Sequence, residues 1–424
     1  MRHETPSEIA NVLARHAPRT PSSILDPCVG NGALLAPVLS RLSWNVSRVT
    51  CLDTDASVLG TVRATLSHNL NGKLETRTDN FIGWARKSAK RFDCIVMNPP
   101  FCGKRTNWTE IGPEKQQKIP VEGEFVRQAI TLLNNNGVLL AILPSSVICG
   151  STLAWLRNEM LLQGSINYLH ELSEKCFPGI DGRMYLVAYK KSKQSNSIVF
   201  LNHDLHAPET LVLPTKSIGA ECRFDFGYHA ARQKLKEIEL IHPQLNWTQA
   251  SKILRVFHGT IRVGKDKETP ALHTSDYRDG FWQNHPKLSS QPTSSSDSFA
   301  NNTDVLLKRL GRNCSRSFGI LANEDSTYCT DSVWILRLRI SYSTVKLLFV
   351  LRCLSNLPWV SSLLEKGVGA KYIAGADVLD LRLPLSLPKY FFSDFRSYCC
   401  AVKKYDVESM KHIEKNVCDH LVNT

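Results

Sequence analysis

The chain contains no run approaching the ~18 consecutive apolar residues of a membrane span. Its first residues, MRHETPSEIANVLARHAP, are polar and periodic with no apolar signal core. None of its 13 cysteines forms a Cys-x-x-Cys pair, and the one adjacent pair is Cys399-Cys400. Several, such as Cys51, Cys94 and Cys149, fall inside apolar runs. That distribution excludes a disulfide framework and a paired-cysteine zinc site. The expectation is reduced core thiols in a cytoplasmic protein with no metal and no membrane attachment. The full dinucleotide fingerprint G-x-G-x-x-G is also missing, because Leu35 stands where the last glycine would be after Gly30 and Gly32. A bound pyrophosphate is therefore not specifically called for.

What is present describes a globular protein: 424 residues, 42% hydrophobic and 21% charged. That length suggests two domains, each with a proper core. The net charge is +13, shared as +7 over residues 1–200 and +6 over 201–424. A basic chain with both halves contributing fits a polyanion held between two domains.

Through about residue 190, strands alternate with helices. Thr5-Pro6-Ser7-Glu8 opens a first helix whose apolar face is Ile9, Val12 and Leu13. Ser22–Asp26 reads as a short strand, followed by a turn containing Gly30 and Gly32 and a helix through Leu39. A second strand, Val49–Asp53, precedes a helix to about Leu70; a third, near Leu74–Thr78, leads into Asp79-Asn80-Phe81. The fourth is the apolar run before Asn98-Pro99-Pro100-Phe101. A helix Gly123–Leu133, a strand Val138–Leu143, a helix Ser151–Leu162 and closing strands Ile166–Leu172 and Met184–Lys190 follow. This alternation implies an α/β fold, a mostly parallel, doubly wound sheet of seven strands. Ligands bind such sheets beyond the carboxyl ends of the strands. Asp26, Asp53, Asp79 and Asn98 all fall at carboxyl ends.

The Asn98-Pro99-Pro100-Phe101 stop has a chemistry of its own. Two prolines cannot continue a ladder, so the strand ends there. The stop presents an amide with donor and acceptor ends, a rigid carbonyl and a flat ring. These are the groups needed to hold a planar amino-bearing ring by edge and face. An ordinary strand-to-loop turn with an aromatic plug accounts for the tetrapeptide equally well when it is taken alone.

TPSEIA, DPCVGNGAL, LDTD, TDNF and NPPF, in this order and spacing, resemble the adenine-N6 DNA methyltransferases of restriction–modification systems, in the gamma arrangement of motifs. The resemblance covers the first 190 residues well and the rest more loosely. It implies an S-adenosylmethionine-dependent enzyme that methylates N6 of a flipped adenine in duplex DNA. Residues 1–194 would form the catalytic domain and 195–424 an α+β target-recognition domain. Thr5 and Pro6 would close over the methionine part of the cofactor. Asp26, Cys28, Gly30 and Gly32 would surround its methionine and ribose. Asp53 would take the ribose hydroxyls, Thr54 would pack on the adenine, and Asp79 with Asn80 or Phe81 would hold and flank that ring. Asn98 and the Pro99 carbonyl would accept from the target amino group within the Asn98-Pro99-Pro100-Phe101 motif. Phe101 would stack on the base, where the family often has tyrosine, and Phe177 would supply a second aromatic. The resemblance implies double-stranded DNA as partner and a monomeric enzyme, with any cognate restriction endonuclease encoded separately.

The N-P-P motif is shared with methyltransferases acting on RNA or on a protein glutamine amide. Only about 20 residues precede the glycine turn and over 200 follow residue 194, which favours DNA. A catalytically dead fold is disfavoured by the intact Asp53, Asp79 and Asn98-Pro99-Pro100. Cys102 invites a nucleophile reading, but cytosine-C5 chemistry uses a Pro-Cys motif that is absent. Residues 102–121 are polar and mostly basic without periodicity and read as a loop, with Lys104 and Arg105 placed for phosphates. Lys190–Ser195 reads as a linker, and Gln283–Ser298 as a Ser/Pro-rich surface loop. In the second half, Arg262, Lys265, Lys267, Lys308, Arg309, Arg312 and Arg316 are candidate contacts to bases or phosphates.

Overall fold

The computed structural model describes residues 5–423 except 102–107, 112–114, 174–175, 178–182, 220–221, 262–270, 284–298, 323–325 and 368–370. By contacts the chain divides into two compact units, the first running to Phe226 and the second beginning at Gly227.

In the first unit, α1 (Ser7–Ala14) precedes β1 (Ser23–Asp26), α2 (Leu35–Arg41), β2 (Arg48–Asp53), α3 (Ala56–Leu70), β3 (Leu74–Thr78), α4 (Phe81–Lys87) and β4 (Phe92–Met97). A hairpin of β5 (Trp108–Ile111) and β6 (Lys115–Pro120) leads into α5 (Val121–Leu132). Then come β7 (Leu133–Pro144), the single turn α6 (Ser145–Ile148), α7 (Ala154–Gln163), β8 (Ser165–Glu171), β9 (Met184–Lys190), β10 (Ser197–Leu201) and β11 (Thr210–Pro214). Nine strands form one sheet in the order β11-β10-β8-β9-β7-β4-β1-β2-β3. The pairs β7–β4–β1–β2–β3 are all parallel, and β9 runs antiparallel between β7 and β8.

The alternation of side chains across the pleat explains why the sheet is covered on both faces. In β4, Cys94 and Val96 point into one core with Ile9 and Leu13 of α1, Val38 of α2 and Val62 of α3. Ile95 and Met97 point into the other with Phe81 of α4, Phe125 and Val126 of α5 and Leu156 of α7. All four of these β4 side chains are fully buried, each contributing about 1.5–3 kcal/mol by the apolar-area rule for the larger ones. Local signals set the helix ends. The Asp55 side chain accepts from Ser57 N to cap α3, and Asn71 in the left-handed region closes it. Asn80 caps α4 through Gly83 N. Cys51, Cys94 and Cys149 are buried, as their apolar surroundings suggested.

Three differences from the sequence expectation stand out. The sheet has nine strands, not seven. Its extra pair lies beyond residue 194: β10 pairs in parallel with β8 through Phe200↔Leu169, and β11 pairs with β10. Ile198 and Phe200 are buried, so the chain past Ser195 continues the first core, and Lys190–Ser195, expected to link two domains, joins β9 to β10 within the first unit. Residues 108–111 and 115–120, read as loop, pair as an antiparallel hairpin with Trp108 opposite Pro120 and Thr109 opposite Ile119. Ile119 is fully buried, an anchor that a polar, aperiodic reading of the stretch overlooks.

An unforeseen buried arginine braces the region after β7. Arg157 of α7 is fully buried. Its guanidinium donates to the carbonyls of Val147 at 2.8 Å, Gly150 at 2.9 Å and Cys222. It thereby ties three buried carbonyls together, of which Gly150 O also accepts from Leu153 N at 3.2 Å.

The second unit is α+β. Leu254–His258, Val333–Leu338 and Val305–Lys308 form a three-stranded antiparallel sheet with the middle segment central. Helices Thr344–Asn356, Phe392–Lys404 and Val407–Asn423 pack on one another. Their core holds a polar group of its own. Arg352 pairs with Glu414, which also accepts from Tyr398 Oη at 3.0 Å and Asn356 Nδ2 at 3.1 Å. Among the described residues no helix is long and apolar enough to cross a membrane.

Candidate active site

Four adjacent parallel strands, β4, β1, β2 and β3, end side by side, and each is followed by a polar residue or ends in one. Their carboxyl ends open into a cavity of about 490 Å³, within the size range of small-molecule sites. Its wall includes Asp26 after β1, Asp53 and Thr54 after β2, Asp79 and Asn80 after β3, and Asn98 to Phe101 after β4. Thr5, Cys28 and Gly30 complete the expected set. Three residues named from the sequence are not on the wall: Pro6, Gly32 and Phe177. Pro6 sits at the N-terminus of α1, and Gly32 closes the turn by donating from its N–H to Val29 O at 2.9 Å. Phe177 is 3% exposed and packs in the core beside Leu172 and Met184. Apolar packing accounts for its position. Val121 and Phe125 of α5, with Val29, Ala33 and Leu34, supply wall that the sequence reading missed. Phe125 lies against Phe81 with ring centroids 4.9 Å apart. Its place in a helical apolar stripe made it look like ordinary core.

Backbone amides organise the acids. Gly30, at φ +51°, a region that favours glycine, turns its N–H onto Asp53 Oδ2 at 3.0 Å. Asp55 N donates to Asp53 Oδ1 at 3.1 Å, so the carboxylate is held by both oxygens. Asp79 accepts from Asn80 N at 2.8 Å, and the Asn80 side chain is engaged in capping α4. Asp26 accepts from Cys28 N at 3.1 Å and is nearly fully buried. Burial pushes its carboxyl up, the Cys28 amide opposes that, and the neighbouring Asp53 adds to it, bringing the group to about 8. The Cys28 thiol is pushed well above its ordinary value, first by burial and then by Asp26. It is therefore a hydrogen-bond donor and not a nucleophile.

Asn98 is the focus. Its backbone carbonyl accepts from Cys28 Sγ at 3.3 Å. Its side-chain Nδ2 donates to Thr5 Oγ1 at 3.1 Å. Its Oδ1 is buried and meets no hydrogen-bond donor among the described residues. A buried acceptor without a donor costs about 1–3 kcal/mol, so this atom calls for an N–H or O–H donor. Phe101, half-buried, forms wall beside it. Cys102, Lys104 and Arg105 lie outside the described residues. No group of three or more metal-ligating side chains is found among the described residues.

Residues 51–177 match the family model described as Eco57I restriction-modification methylase. That segment is similar to restriction-modification methylases. It runs from within β2 to Phe177, and holds Asp53, Asp79 and the whole Asn98–Phe101 motif. No curated protein matches the chain by sequence. Among solved structures, the type IIG restriction endonuclease BpuSI aligns at 13% identity with a TM-score of 0.48, over 99% of this chain and 66% of that one. The type I restriction-modification methyltransferase subunit from Streptococcus thermophilus aligns at 16% identity and TM-score 0.38, over 47% of each chain. The M protein of the type I enzyme EcoKI aligns at 14% and 0.37, again over 47% of each. The aligned region spans about half the length of these type I subunits.

The cofactor of such a methylase domain is S-adenosylmethionine, and the cavity's chemistry suits it. Asp53, oriented by two amides, fits a pair of hydroxyls. Asp26, buried and short of a counter-charge, fits a cation. Phe81, Phe125 and Leu34 give apolar cover for a flat ring.

In the second unit the candidate nucleic-acid contacts divide. Arg312 and Arg316 are exposed. Lys308 lies over the Tyr277 ring at 5.0 Å, and Arg309 lies over Trp334 at 5.3 Å while donating to Asp331 O. Arg262, Lys265 and Lys267 lie outside the described residues.

Proposed function

We propose that the protein methylates N6 of adenine in duplex DNA at a specific sequence, as the modification enzyme of a restriction–modification or phage-defence system. The observation that carries this reading is Asn98 Oδ1: a buried acceptor without a donor among the described residues, on a proline-stopped strand end, in one cavity with three acids and beside an aromatic ring. An exocyclic amino group brings two N–H donors. One fits Asn98 Oδ1. The carbonyl of Asn98 is already taken by the Cys28 thiol, which leaves the Pro99 carbonyl as the second acceptor. Two acceptors drawing on the amino hydrogens favour a tetrahedral nitrogen and free the lone pair that the ring otherwise withdraws. S-adenosylmethionine, when bound, supplies an electrophilic methyl group. Holding the nitrogen in line with it is then most of the protein's work. A base stacked in a duplex cannot reach such a cavity, so it must be flipped out, and Phe101 offers a stacking surface that offsets part of that cost.

Nucleic acid is favoured over a protein amide by the charge of the chain, and DNA over RNA by the unit that follows the first. The net charge is +13, spread over both halves. A separate α+β unit follows the methylase domain, and we assign it target recognition, with exposed Arg312 and Arg316 among its phosphate contacts. The test is transfer of labelled methyl from S-adenosylmethionine to duplex DNA, RNA and protein in parallel. Label in duplex DNA alone is the expected result; label in RNA or protein without DNA overturns the reading.

A further inference from the structure

The Thr5–Asn98 contact joins residues 93 positions apart in the sequence. We propose that Thr5 is a positioning residue for the reacting amide, separate from any contact it makes with the cofactor. The inference rests on the reading of Asn98 as acceptor of the target amino group.

An asparagine amide can sit in two orientations that differ by exchanging Oδ1 and Nδ2. Only one of them offers an acceptor to an incoming amino group; the other sets N–H against N–H. In the structure Nδ2 is turned to Thr5 Oγ1 at 3.1 Å, and this leaves Oδ1 as the end without a donor. Thr5 is itself 7% exposed and forms part of the cavity wall. Two further ties fix the other parts of Asn98. The Cys28 thiol holds its backbone carbonyl, and Pro99 restricts its backbone. With the main chain held by Cys28 and the side chain by Thr5, the remaining lone pairs of Oδ1 can point only where the target arrives. A hydroxyl suits the task because it ties the amide in place, and in the orientation present it accepts from Nδ2 and leaves Oδ1 for the target. A methyl group of the same shape leaves that end of the amide buried without a hydrogen-bond partner and the side chain less firmly held.

The test uses Thr5→Val, which keeps the shape, and Thr5→Ser, which keeps the hydroxyl. Three quantities are measured in the full-length protein: cofactor Kd, single-turnover methyl transfer, and hydrogen exchange of the Asn98 side-chain amide in asparagine-labelled protein. The amide signal is assigned by its loss in Asn98→Asp. Thr5→Val is expected to slow transfer by about tenfold to a hundredfold, a loss several times larger than any weakening of cofactor Kd. Its Asn98 amide protons should exchange faster, and Thr5→Ser should restore most of the rate and the slow exchange. Equal rates for wild type and Thr5→Val, or a rate loss matched by an equal loss of cofactor affinity, overturn the proposal. If the wild type transfers nothing to DNA, the functional reading falls. The amide exchange still decides the Thr5 role, because unchanged exchange in Thr5→Val refutes it by itself.

Discussion

Asp26 gives the most quantitative prediction. In the ligand-free fold its carboxyl titrates at about 8, mainly through burial, with Asp53 adding to the shift. The sign follows directly. A carboxyl raised in the fold contributes stability that is fully present below its ordinary value of 3.8 and is lost as pH rises through about 8. The ligand-free protein should therefore become less stable across that window, to the extent that Asp26 dominates. A cation bound beside Asp26 reverses the preference and pulls the carboxyl back toward its ordinary range. At pH 7 roughly nine-tenths of the ligand-free sites hold the proton, so binding should release about 0.9 proton per site. Affinity should then rise about ninefold from pH 6 to 7 and by only about a tenth from pH 9 to 10. Calorimetry of S-adenosylmethionine binding in two buffers of different ionisation enthalpy reads the proton count. Asp26→Asn serves as the control, because it subtracts the cofactor's own amino-group titration. Proton release that is the same in wild type and Asp26→Asn would refute the argument. So would an affinity that does not change between pH 6 and 7.

Asn98→Ala should lower methyl transfer by at least about a hundredfold while changing cofactor Kd little, since it removes an acceptor aimed at the target; a parallel loss of cofactor binding would mean that the two halves of the cavity have been assigned the wrong way round. Phe101→Tyr should stay within about threefold of wild type, whereas Phe101→Ala should lose the ~1–3 kcal/mol of base stacking, read as a five- to hundredfold fall in kcat/KM. Gly30→Ala meets no neighbour within 4 Å but needs φ +51°, so about 1 kcal/mol of backbone strain is expected, visible as a lower Tm with the cofactor site partly retained. Arg157→Leu should cost about 2–6 kcal/mol by taking the guanidinium from the buried carbonyls of Val147 and Cys222, while Gly150 O keeps its bond from Leu153 N; chemical denaturation that gives less than about 1 kcal/mol would show that water replaces the guanidinium.

The strand ends were legible because their signal is local. An apolar run halted by Asp26-Pro27 or Asn98-Pro99-Pro100 can only be a buried strand stopping at a polar edge, and a parallel sheet gathers such edges in one place. Other features depend on contacts that sequence does not display. The hydrogen bond between Thr5 and Asn98 joins residues 93 positions apart. Val121 and Phe125 reach the cavity only because α5 begins where it does, and their spacing is that of any core helix. Ile198 and Phe200 form a strand too short to stand out from its Ser- and Lys-rich flanks, so the first unit looked finished about thirty residues before it was. Phe177 shows the opposite error: an aromatic in a suggestive Cys-Phe-Pro-Gly context that the fold uses as packing.

The most direct test of the central claim is to digest duplex DNA to nucleosides after incubation with the protein and labelled S-adenosylmethionine, and to identify the labelled product by mass. The account predicts N6-methyldeoxyadenosine, present with wild type and absent with Asn98→Ala. Label in methylated cytidine, or none in DNA while RNA or protein takes it up, would contradict it.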